Sequence, residues 1–121
     1  MAQTLEAIFH QGDQRRIDHT PSGAALVSGQ IISKGGIAAV CTSPEGIADG
    51  ALGAVDVDGT YKIKKGAVVF SEGDVVGWDD TNNTAVVDGD PNNDFDLGMA
   101  TQDAASGDDY VLCWLNKQSI N

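Results

Sequence analysis

Residues 47–65 read IADGALGAVDVDGTYKIKK, and the reading of this stretch decides the fold class. Asp58-Gly59 stands at its centre. A two-residue type I′ turn needs φ > 0 at both central positions, which Gly reaches freely and Asp tolerates better than most residues. Before the pair, Val55 and Val57 alternate with Ala54 and Asp56; after it, Tyr61 and Ile63 alternate with Thr60, Lys62 and Lys64. Period two on both arms predicts strands with one buried face and one charged face. The stretch therefore predicts a β-hairpin that turns at Asp58 and Gly59.

Working outward, a helix over residues 38–54 is disfavoured because Pro44, Gly46, Gly50 and Gly53 would interrupt it. Strands are expected instead at 4–9, 15–19, within 24–32, and at 37–42. Gln11-Gly12-Asp13, Thr20-Pro21-Ser22-Gly23, Lys34-Gly35-Gly36 and Ser43-Pro44-Glu45-Gly46 form the turns between them. Beyond the central stretch, strands are expected at 67–70, 75–78, 84–87, 97–100 and 110–115. The last, YVLCWL, is apolar on both faces, which predicts a strand buried on both sides or closing a barrel. About ten short strands at this spacing predict an all-β protein, a single compact β-sandwich or barrel spanning 1–121.

Length and composition agree. The chain of 121 residues suits one domain with one modest core, and fifteen glycines favour short strands over long helices. The opening MAQTLEAIFH lacks a basic region followed by an apolar run, so synthesis without export is expected. No apolar run approaches the length of a membrane span. Cys41 and Cys113 each lie in an apolar run and have no CxxC partner. They are expected to be buried small hydrophobes rather than a disulfide or a zinc site.

Charge is unevenly placed. Residues 66–116 carry eleven acids and no Lys or Arg, while the rest of the chain holds seven of each sign. The whole net charge of −11 therefore lies in one stretch. Such a field repels phosphate backbones and argues against nucleic-acid binding. The plainer expectation is a solubilising surface; the sharper one is an acidic side facing solvent and a neutral side meeting a partner.

Motifs for chemistry are sparse. Asp18 and His19 are adjacent, so on a strand they point to opposite faces, and no nucleophile elbow accompanies them. In DGDPNNDFD, Asp88, Asp90, Asn92 and Asp94 alternate like the start of an EF-hand loop. Asn93 stands where that loop needs Gly, however, and Met99 where it needs Glu. A solvated turn is expected, with a calcium site of another kind left open. No glycine run has the spacing that cradles a phosphate. Trp78 and Trp114 could form a sugar platform, but each lies in an apolar strand, which favours core or subunit-interface packing. No catalytic residue, cofactor or metal is assigned.

The order of several segments is similar to a known family. Ile17-Asp18-His19-Thr20-Pro21 is followed by a small apolar run ending in Ser28-Gly29, then by Ile47-Ala48-Asp49-Gly50-Ala51-Leu52-Gly53-Ala54-Val55 and an arm ending in Lys64-Lys65. Gly73-Asp74-Val75-Val76-Gly77-Trp78-Asp79, Leu97-Gly98-Met99-Ala100 and the closing YVLCWL complete the series. In this the chain resembles the phage capsid cement, or head-decoration, family of small β-proteins. It departs from the family pattern at His19, where Tyr is commoner, and in an expanded acidic loop at residues 88–96.

The resemblance implies a jelly-roll-like, non-enzymatic domain on the outer capsid surface of the virion. It implies binding to the phage major capsid protein as a homo-dimer or homo-trimer, shell reinforcement, and synthesis in the bacterial host cytoplasm. Lys62, Lys64 and Lys65 are the last bases before the acidic stretch and form a candidate contact with an acidic neighbour, either another copy's acidic loop or the capsid. The rival reading is a small calcium- or carbohydrate-binding β-module.

Overall fold

The computed structural model describes residues 7–11 and 15–117. It contains ten strands: β1 (Ala7–Gln11), β2 (Arg16–His19), β3 (Ile31–Lys34), β4 (Ile37–Cys41), β5 (Gly53–Asp56), β6 (Thr60–Lys64), β7 (Val75–Asp79), β8 (Thr84–Val87), β9 (Phe95–Ala100) and β10 (Tyr110–Leu115). They form a six-stranded sheet in the order β1-β6-β10-β9-β7-β8 and a four-stranded sheet in the order β2-β5-β4-β3. All pairings between these strands are antiparallel. The two sheets pack as a β-sandwich, as the spacing of short strands predicts. Of the expected first strand, residues 4–6 lie outside the described residues, as do 12 and 13 of the first turn.

The central stretch is not a hairpin. Its first arm, β5, pairs with β2 and β4, while its second arm, β6, pairs with β1 and β10 in the other sheet. Residues 57–59 are the corner where the chain changes layers. The Val57 amide donates to Arg15 O at 2.8 Å on the small-sheet side, and Gly59 O accepts from the Leu115 amide at 3.0 Å on the large-sheet side. Gly59 has φ +108°, which Gly reaches without the Cβ penalty. Alternation reports which side chains are buried, not which strand is the neighbour, so the same pattern serves a corner as well as a hairpin.

The face assignment on the first arm also reverses. Val55 points into a small apolar cluster on the outer face of the four-stranded sheet, with Leu26, Ala39, Cys41 and Ile47. Asp56, expected on a charged face, is completely buried. Its carboxylate accepts from the Tyr61 hydroxyl and from Arg16 Nε, the latter at 3.0 Å. A carboxylate taken from water must be paired, and these donors couple the two sheets across the corner.

The main core lies between the sheets and is built on Tyr61, Ile63, Phe70, Val76, Trp78, Leu97, Val111, Cys113 and Leu115, met by Ile31, Ala38 and Val40. The closing strand β10 therefore buries only alternate residues. Trp114 is 41% exposed, and Tyr110 and Leu112 are half-buried. Double-sided burial is found instead in β4, whose Ala38 and Val40 enter the main core while Ala39 and Cys41 enter the outer cluster, and in β7, where Gly77 and Asp79 are buried as well as Val76 and Trp78. Both thiols are free and buried, one in each cluster, and burial raises both above the ordinary cysteine value.

Candidate functional site

The surface of the described residues divides by sheet face. The inter-strand register places Ile8, Lys62 and Leu112 in one row across β1, β6 and β10. Tyr110 lies opposite Lys64, and Trp114 lies opposite both Thr60 and Met99. Their in-register neighbours Ala7, Ile63, Val111 and Cys113 point into the core. By alternation, the first group forms the outer face of the six-stranded sheet. On these strands that face is apolar with lysine as its charge, whereas a solvated sheet face ordinarily carries polar residues.

Of the three candidate lysines, the structure brings two together. Lys62 is exposed and Lys64 half-buried on this outer face. Lys65 is withdrawn into the fold, only 6% exposed. Its Nζ donates to Gly66 O (3.0 Å), Val68 O (2.8 Å) and Ala105 O (2.7 Å), which uses all three ammonium protons. Burial of Lys65 removes it from the contact set and makes it a staple between two loops. Strand parity already carried this separation, because residues 62 and 64 share a face that 65 cannot.

The tryptophans divide in the same way. Trp78 is wholly buried in the main core. Trp114 lies on the open face; its Nε1 donates to Asp58 Oδ1 at 3.3 Å, and Lys117 Nζ stands 5.3 Å from the ring centroid. The two rings therefore do not form a shared sugar platform. Asp58 also accepts from the Gly59 amide at 2.8 Å and lies 3.9 Å from Lys117 Nζ. The pair expected as a hairpin turn is thus a corner tied to the end of β10. Asn116 completes the tie, accepting from the Ala38 amide and donating Nδ2 to Ala38 O and Val57 O.

The acidic stretch is folded into capped loops. Asp90 Oδ1 accepts from the Asn92 amide, Asp94 Oδ2 from the Asp80 amide, and Asn93 Oδ1 from the Trp78 amide. Among the described residues, no three His, Cys, Asp or Glu side chains converge to hold a metal ion. Asp79 accepts from Asn82 Nδ2, the Asn82 amide and the Thr81 amide. Hydrogen bonds from the Asn82 side chain first, and then from the backbone, hold its carboxyl below the usual range.

At one end of the sandwich, residues 66–74 and 101–109 meet. Phe70 and Ala104 exchange backbone hydrogen bonds, and the Glu72 amide donates to Asp103 Oδ1. Lys65 staples both loops from beneath. The result is a knob bearing exposed Glu72, Asp74, Asp103, Asp108 and Asp109 together with Val69, which is 60% exposed. Composition announced the acids; their gathering with an apolar tip depends on loop contacts that alternation does not encode.

His19 is separate from these features. Its Nδ1 lies 3.2 Å from Lys34 Nζ, and desolvation followed by the Lys34 charge lowers its pKa below the ordinary value. The chain changes layer at 57–59, so the neutral and acidic segments do not form separate layers. Strand β6, with its lysines, is instead flanked by β1 and by β10 from the acidic segment.

The site is thus a strand face and a pair of stapled loops on a two-layer β-sandwich. By comparison with family models, the chain belongs to the phage cement protein family, whose model matches residues 10–115 and so runs through both sheets. No curated protein and no solved structure matches the chain. Family membership gives it a capsid cement role, as a virion structural protein associated with the phage capsid.

Proposed function

We propose that this protein binds the outer surface of the assembled phage head through the major capsid protein and stabilises the shell, acting as a homo-oligomer and without catalysis. The observation that carries the reading is the family match, which spans nearly the whole sandwich rather than a local motif. The open face of the six-stranded sheet supports it, because an uncovered apolar and basic strand face is suited to a protein partner. Many copies bridging neighbouring subunits multiply modest contacts by avidity. Synthesis in the host cytoplasm follows from the same reading, since shells assemble there.

The test is to mix purified protein with undecorated heads. Co-sedimentation and a higher temperature of head disruption are expected. Heads that neither bind the protein nor gain heat resistance would defeat the proposal.

A further inference from the structure

We propose that copies of this protein associate head to tail, the acidic knob of one copy seating on the open lysine-bearing sheet face of the next. This rests on the cement reading only for its setting; the contact itself is argued from surface chemistry. Lys62 lies between the apolar side chains of Ile8 and Leu112, with Lys64 and Trp114 on the same face. Among the described residues, neither Lys62 nor Lys64 makes an ion pair. The knob offers the complement: five exposed acids and the exposed side chain of Val69 on the same pair of loops.

Two features select this occupant. Face-to-face pairing of identical copies would bring lysine against lysine, and like charges across an interface are penalised. The knob of a second copy supplies the required acids, while the net charge of −11 on each copy opposes close approach until salt screens it. The knob is also pre-organised. Lys65 fixes both loops through three carbonyls, and Asp103, Asp74 and Asp108 cap loop amides. A rigid knob loses little conformational freedom on docking. A heterologous contact of this kind forms rings or runs of copies, which suits repeated decoration of a shell.

Two variants test the contact, both at sites whose side chains make no capping bond. Lys62→Glu with Lys64→Glu breaks the face; Glu72→Lys with Asp109→Lys breaks the knob. Sedimentation at physiological ionic strength, where the like net charges of the copies are screened, should show self-association by the unaltered protein. Each variant should self-associate at least about tenfold more weakly, with unchanged circular dichroism and unfolding temperature. An equimolar mixture of the two should recover a one-to-one dimer, because one partner keeps its knob and the other its face.

A mixture that stays monomeric, variants that associate normally, or an unaltered protein that is monomeric at physiological ionic strength would each overturn the contact. Binding to undecorated heads, measured in parallel, separates this outcome from the cement reading. Failure of the unaltered protein to bind heads defeats that reading while leaving the self-association result to stand or fall alone.

Discussion

The two outer faces of the sandwich are treated differently by the chain. The four-stranded sheet is covered by its own loops: Leu26 and Ile47 pair by a backbone bridge and lie over Ala39, Cys41 and Val55. The six-stranded sheet has no such cover over Lys62, Leu112 and Trp114 among the described residues. Covering a sheet face takes chain: on the six-stranded sheet the Asn93 side chain lies over Gly77 of β7, and the part built from β1, β6 and β10 stays open. The covered face contributes to stability, and the open face is free for contact. Substitutions on the two faces should therefore separate stability from association.

The largest expected effect lies at the junction supporting the open face. A Cβ on Gly98 would stand 2.0 Å from the Trp114 carbonyl oxygen and 2.9 Å from the Asn116 amide nitrogen, both backbone atoms. Gly98 also has φ +158°, close to the limit that side chains accept. Gly98→Ala is expected to cost about 3 kcal/mol or more, since neither strand can yield cheaply. Urea unfolding that shows a loss below about 1 kcal/mol would mean the β9–β10 junction is softer than described.

The direct contrast comes next. Ile47, 5% exposed, anchors the covered face, and Ile47→Ala is expected to cost about 2–3 kcal/mol through lost burial and a residual cavity. Leu112→Ala on the open face removes a half-buried side chain and should cost about 1 kcal/mol or less. The effects on self-association should run the other way, with Leu112→Ala weakening it and Ile47→Ala leaving it intact. Equal stability losses at the two sites would erase the distinction between the faces. Lys65→Met falls between these in stability: it removes three hydrogen bonds from the ammonium to loop carbonyls, at about 1–2 kcal/mol. It should also loosen the knob, seen as faster amide exchange at Phe70 and Ala104, whose mutual bonds close it.

Much of this architecture was legible in the sequence. Strands at 84–87 and 110–115 fall where alternation and turn residues place them, because a short strand needs little beyond its own pattern. The layer change at 57–59 was not legible. Val55, Asp56, Tyr61 and Ile63 alternate whether the chain doubles back or crosses to the facing sheet, and only the partner strands decide. Asp56 was misjudged for a related reason: a carboxylate reads as exposed until Tyr61 and Arg16 are brought to it by tertiary contacts. The apolar run YVLCWL overstated burial because it includes the residues of the open face, Tyr110, Leu112 and Trp114. Double-sided burial instead fell to β4 and β7, where small Ala38, Ala39 and Gly77 allow packing on both sides.

The smallest expected effect tests how the four-stranded sheet is shaped. His19 on β2 and Lys34 on β3 come from its two edge strands, and the register of a flat sheet would hold them about 14 Å apart across the strands and about 20 Å apart along them. Their 3.2 Å approach therefore reports a curled sheet. With Lys34 donating to Nδ1, the neutral ring carries its proton on Nε2, and protonation at Nδ1 must displace the ammonium. The folded pKa of His19 is lowered, so the unfolded chain binds the proton more readily. Stability from this site is then complete above the unfolded value of 6.5 and falls as pH drops through it toward the folded pKa. The difference in urea midpoint between unaltered protein and His19→Gln should change over that window and be flat above it. Lys34→Met should move the His19 titration, followed by NMR of the imidazole, upward toward the ordinary value. An unmoved titration would mean that the edge strands do not meet in solution and that the sheet is flatter than its side chains indicate.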